Sequence, residues 1–162
     1  MLRIALVAAL LCACGGSSNK PTTTTTAPAG DKLLVLVDDQ GVALGGNDPI
    51  AYTTNAVSVG TADHKSVHGG ATYQFATPEN KATFDGAQTK YAPAFGGYCA
   101  FAASQNRLSE SDPAVYLIHE GQLLMFTNAD FLEQFKKDAA SNKQKADANW
   151  PGLVAQHGKP KA

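Results

Sequence analysis

Cysteine is scarce in this chain of 162 residues: three in all, two of them close to the start, leaving only Cys99 in the body. So few exclude a disulfide-dense scaffold, and without a paired CxxC nothing marks a structural zinc. Charge is scarce as well. Charged residues make up 17% of the chain, with 13 basic against 14 acidic and a net charge of −1. A chain so balanced offers no basic surface to track nucleic acid. The first apolar run, Ile4 to Leu11, falls far short of the ~20 residues a membrane-spanning helix requires. GxSxG, HExxH, GxGxxG and P-loop motifs are missing too, and with them the usual signatures of serine hydrolases, zinc proteases and nucleotide enzymes. What remains is enough for a core. The hydrophobic fraction of 44% excludes a disordered or fibrous chain, and the length suits one globular domain.

The first thirteen residues read as a targeting segment. Arg3 supplies a positive charge ahead of Ile4 to Leu11, a run of secretory length. It ends in Leu11-Cys12-Ala13-Cys14-Gly15, which resembles the lipobox of bacterial lipoproteins, where cleavage precedes a cysteine that then carries lipid. Cys14 fits the lipidated position, with Cys12 the alternative. Residues 14–30 follow with Gly-Gly-Ser-Ser, five consecutive threonines and two prolines, a composition that forms a tether rather than a core. The expectation is a palmitate-bearing protein of the cell envelope, anchored by lipid, whose domain at 31–157 faces the periplasm or the exterior.

Within that domain, Leu33 to Val37 and Val57 to Val59 read as strands. His64–His68 and Ala71–Phe75 flank Gly69-Gly70, a hairpin signal. Thr77-Pro78-Glu79 starts a helix that runs through Phe84 and stops near Gly86. A further helix after Gly96-Gly97 carries Tyr98, Cys99, Phe101 and Ala102. Val115–Ile118 and Gln122–Phe126 form a second hairpin about Glu120-Gly121, after which Asn128 caps a helix with Phe131, Leu132 and Phe135 inward. Trp150 reads as a packing anchor for the polar tail. Strands and helices mix without βαβ alternation, so the class is α+β, and no internal repeat is evident.

Asp63-His64-Lys65-Ser66-Val67-His68, continuing to Phe75 and Pro78-Glu79-Asn80, resembles the YHS domain. Leu44 to Tyr52, Tyr91 to Ala100 and Lys145 to Pro151 are similar to one exported branch of that family, YHS domain-containing (seleno)protein-like. The resemblance implies a small treble-clef-like domain of β-hairpins and short helices. Metal-binding members bring cysteines to positions that are Ala51, Ala76 and Asn80 here, so the metal cysteines are missing. An apolar core of Phe75, Phe84, Tyr91 and Phe95 is expected to replace the metal.

Cys99 is the sharpest chemical candidate. In the first turn of a helix its thiolate would be stabilised, and some members of the exported branch carry selenocysteine at this position; redox thiol, soft-metal ligand and buried hydrophobe all fit. His64 and His68 alternate along one strand with Ser66, so the three share a face. With Cys99 and Met125 they make a candidate set for a soft ion such as copper, His119 being another donor and His157 lying in the tail. Asp48, before Pro49, fits a turn. Arg107 and Asp112 fit the surface. Without a nucleophile–base pair, the function expected is a non-catalytic binding module, possible ligands including a soft metal ion; the alternative is a thiol-dependent redox protein using Cys99, with an external thiol as resolving partner.

Overall fold

The computed structural model describes residues 32–160; the leader, Cys14 and the tether lie outside the described residues. The chain enters through the two-residue strand β1 (Lys32–Leu33), runs extended to Val37, and turns at Leu44-Gly45-Gly46, where all three φ angles are positive (56°, 59° and 82°). A 3-10 turn over Ala51–Thr54 leads to the hairpin β2 (Thr61–His68) and β3 (Ala71–Phe75), then to helix α1 (Pro78–Gly86) and the short α2 (Gln88–Tyr91). A second left-handed turn, Phe95-Gly96-Gly97, precedes α3 (Ala100–Ser104). The hairpin β4 (Asp112–His119) and β5 (Gln122–Phe126) follows, then α4 (Ala129–Lys136), the 19-residue α5 (Ala139–His157) and β6 (Lys159–Pro160). The class is α+β, and its sheets are three separate antiparallel pairs, β1–β6, β2–β3 and β4–β5.

Local chemistry accounts for these elements. Gly69-Gly70 and Glu120-Gly121 have positive φ at both turn positions, which two-residue hairpins need to match strand twist. Thr77 caps α1 by accepting from the Asn80 N–H at 3.1 Å, with Pro78 in the first turn. Asn128 caps α4 by accepting from the Phe131 N–H at 2.9 Å.

These correspondences form a repeat that the sequence conceals. Landmarks recur at a constant spacing of 51 residues, as between Thr61 and Asp112 or Phe84 and Phe135. Thr61 pairs with Phe75 before a register shift that ends at Lys65; Asp112 pairs with Phe126 before a shift that ends at Tyr116. The Asp48 N–H donates to Ser58 O at 2.8 Å and the Cys99 N–H to Ser109 O at 3.0 Å. His68 meets Phe84 edge-on at 6.2 Å, and His119 meets Phe135 edge-on at 6.3 Å. The expectation of no internal repeat is therefore corrected: two turn–hairpin–helix units follow one another. Their backbones correspond while their side chains have diverged.

The second unit joins the first through β5, which is buried on both faces. Leu124 and Phe126 pack with Phe95, Cys99, Phe135 and Leu153, while Leu123 and Met125 pack with Tyr52, Tyr73, Phe75 and Phe84. Each phenylalanine ring buried this way is worth about 2–3 kcal/mol of transfer free energy. Helix α5 lies chiefly against α3.

Several sequence expectations need amendment. Of Leu33 to Val37 only Leu33 pairs as strand, together with Lys32 against β6; beyond it Leu36 N–H donates to Gly96 O at 2.9 Å. Val57 to Val59 is not a strand: Val59 merely bridges Asn47 and is 70% exposed. The third helix starts at Ala100, leaving Tyr98 outside it and Cys99 as its N-cap. The polar tail is helical, Pro151 included.

Candidate functional site

Asp48 is fully buried, and a buried carboxylate must be matched by donors. Its Oδ1 accepts from the Ile50 N–H at 2.8 Å. Its Oδ2 accepts from the Ala76 N–H at 2.9 Å and from Asn80 Nδ2 at 2.7 Å. The Ala51 N–H donates to the Asp48 carbonyl at 3.1 Å. Thus the three positions where the YHS resemblance would call for thiolates, Ala51, Ala76 and Asn80, all hydrogen-bond to one aspartate. The expectation that an apolar core replaces the metal is corrected on this point, because a polar staple joins loop, hairpin and helix there. Phe95 belongs to the other core cluster, apart from Phe75 and Phe84. With no soft donor among them, and with the carboxylate already satisfied by N–H groups, these residues do not fit a thiolate-bound metal.

The equivalent of Asp48 in the second unit is Cys99, and the equivalent of Asn80 is Phe131. The polar staple of one unit is an apolar one in the other: Cys99 is 0% exposed, and the Phe101 ring packs tilted against Phe131 at 5.3 Å. Helix α3 is only five residues long, so its dipole is small. Cys99 thus occupies a core position defined by the repeat.

The four expected soft donors are not gathered into one site. Cys99 and Met125 are backbone bridge partners, yet Met125 packs in the cluster of Tyr73 and Phe84 and Cys99 in the cluster of Leu124 and Phe126. His64, Ser66 and His68 alternate with the exposed Lys65 and Val67 along β2, although a register shift falls between Thr61 and Lys65. His68 Nδ1 is 3.2 Å from Gln88 Oε1. Ser66 donates to Asp85 Oδ1 at 2.6 Å, and Asp85 also pairs with Lys81 at 2.6 Å. The Lys81 ammonium, aided by Ser66, holds the Asp85 carboxyl below the ordinary aspartate range. His119 Nε2 is buried without a partner; Ala139 stands where the first unit has Gln88. Among the described residues, no three His, Cys, Asp or Glu side chains converge. Arg107 and His157 are exposed, and Asp112 Oδ1 accepts from the Ala114 N–H at 2.8 Å.

Two cavities of about 390 Å³ each flank the entering strand and its continuation. One is walled by Leu34, Val35, Pro93 and Val154, and His68, Tyr73, Trp150 and Lys32 are the polar-tipped side chains among its lining residues. The other includes Glu110, His157 and Lys159. Three contacts build the first cavity. Gly96 lets the strand come close, since a Cβ there would lie 2.0 Å from Leu34 O. Phe95 and Tyr98 hold the Trp150 ring at 5.6 and 6.3 Å. Lys32 Nζ donates to Ala155 O at 2.7 Å. Burial pushes the Tyr73 hydroxyl up to about 12, so it remains a proton donor across the ordinary pH range.

The cavity lies between the turn of the first hairpin, the entering strand and α5. Trp150, read only as an anchor, packs as one and also lines the cavity. The signal was thin: a lone tryptophan before proline in a polar stretch. Protein-family models, curated proteins and solved structures give no match to this chain.

Proposed function

We propose that the chain is an exported binding module, anchored to a membrane through lipid on Cys14 and non-catalytic, of the YHS-like kind its sequence resembles. The observation that supports it is the cavity at Trp150, whose volume falls in the range of small-molecule sites and which combines apolar walls with a few polar groups. The leader and the threonine tether support export and anchoring. Burial of Cys99 weighs against the alternative, because attack on peroxide or a disulfide needs an accessible thiolate. The dispersal of His64, His68, Cys99 and Met125 weighs likewise against copper.

Trp150 is the only tryptophan and lines the cavity, so under folded conditions its emission is sensitive to a ligand there. Titrating small organic molecules into the full chain in non-ionic detergent should shift that emission saturably for some of them. A set of acids, amides and amines that leaves it untouched would end the binding reading. Fractionation of cells carrying Cys14→Ser tests the anchor: the protein should leave the membrane fraction or accumulate as precursor, and unchanged processing and partition would refute lipidation.

A further inference from the structure

The Trp150 cavity has a one-sided polar lining. Its ionisable side chains are Lys32, His68 and Tyr73, and no aspartate or glutamate is among them. Glu110 lines the neighbouring cavity instead. The hydroxyls of Tyr52 and Tyr116 find protein acceptors at 2.8 and 3.4 Å, and Lys90 donates to that of Tyr91. Among the described residues, neither the Tyr73 hydroxyl nor the Trp150 indole N–H has an acceptor. Among the described residues the sealed, unpartnered side-chain N or O atom is His119 Nε2, so the Tyr73 hydroxyl and the Trp150 N–H each keep some accessible surface. His68 engages Gln88 through Nδ1 and leaves Nε2 free. Lys32, also among the lining residues, donates its ammonium to the Ala155 carbonyl. The rest of the wall is aliphatic or aromatic: Leu34, Val35, Pro93, Val154 and the faces of Tyr73 and Trp150.

From this arrangement we infer that the cavity takes a small organic carboxylate with a flat apolar body. The carboxylate accepts from the Tyr73 hydroxyl and the Trp150 indole N–H, with the Lys32 charge beside it. The body lies against Leu34, Pro93 and the tryptophan ring. A cation would meet like charge at Lys32 and no carboxylate to offset it, and a neutral amide would forgo the charge-assisted hydrogen bonds, which are roughly twice as strong as neutral ones. The inference rests on the binding-module reading above and gives it a ligand class.

The test uses three probes of one shape, phenylacetate, phenylacetamide and benzylamine, titrated calorimetrically into the full chain in non-ionic detergent. Phenylacetate should bind at least about tenfold more tightly than either of the others, as one charged hydrogen bond of about 1.5 kcal/mol requires. Tyr73→Phe keeps the ring and removes the hydroxyl, and should cost about tenfold in that affinity alone. Lys32→Gln, which can still donate to Ala155, should weaken phenylacetate and leave phenylacetamide unchanged. If the amide or amine binds as tightly as the acid, the ligand class is overturned while the binding reading stands. Affinity unmoved by both variants places the acid elsewhere and overturns the assignment. If none of the three binds, the assignment and the reading beneath it both fall.

Discussion

Replacing Asp48 by Ala should destabilise the protein by about 4 kcal/mol. The side chain is fully buried, and its two oxygens accept three hydrogen bonds of 2.7–2.9 Å from Ile50, Ala76 and Asn80. A hydrogen bond to a charged group contributes about 1.5–3 kcal/mol, and each buried donor left alone carries its own desolvation cost. Three bonds at the lower value give roughly 4–5 kcal/mol, a little less once the Ile50 amide regains water. Against a typical total of about 5–15 kcal/mol, that loss would leave a marginal domain. Urea denaturation followed by Trp150 fluorescence measures it, as a lower midpoint with an unchanged slope. The reasoning also predicts coupling. With Asn80→Ala already made, Asp48→Ala should cost about 1–2 kcal/mol less, because one of the three bonds is already gone. A loss below about 1 kcal/mol from Asp48→Ala alone would refute the staple.

Gly96→Ala should cost about 2 kcal/mol or more and loosen the entering strand, since the new Cβ meets Leu34 O at 2.0 Å and φ is +56°; chemical denaturation and Trp150 emission read both effects. Cys99 should react with a thiol reagent only as fast as the fold opens, and Cys99→Ala should cost about 1 kcal/mol in denaturation, from side-chain volume alone. Tyr52 and Tyr73, each pushed up to about 12 by burial, should ionise last in an ultraviolet pH titration. The unfolded chain gives up those protons near the ordinary tyrosine value of 10.0, so stability is fully present below that pH and falls between it and about 12. Stability flat across that window would contradict their burial.

The sequence was most readable where short-range stereochemistry dictates structure. Gly69-Gly70 and Glu120-Gly121 marked both hairpins, and Thr77 and Asn128 marked two helix starts, because turn and cap preferences act over a few residues. Helix α5 was missed since Lys143 to Ala148 carries little apolar pattern and Pro151 reads as a breaker; its packing against α3 decides the matter. The internal repeat was hidden by opposite chemistry at matched positions, Asp48 against Cys99 and Asn80 against Phe131. The placement of the expected metal set depends on long-range facts: Cys99 and Met125 are bridge partners that the double-faced β5 packs into different clusters, and among the described residues no three His, Cys, Asp or Glu side chains converge. The cavity could not be read at all. Lys32, Tyr73, Pro93 and Trp150 are brought together only when the entering strand docks on Gly96 and α5 closes over it.

The central claim is that this cavity is the working part of the molecule. Trp150 gives the chain its only tryptophan indole N–H resonance, and the Cys99 amide, bonded to Ser109, marks the sealed core. Adding phenylacetate to the nitrogen-15-labelled full chain should move the indole signal in a saturable way and leave the Cys99 amide in place. An indole signal that stays fixed while the Cys99 amide moves would contradict the account.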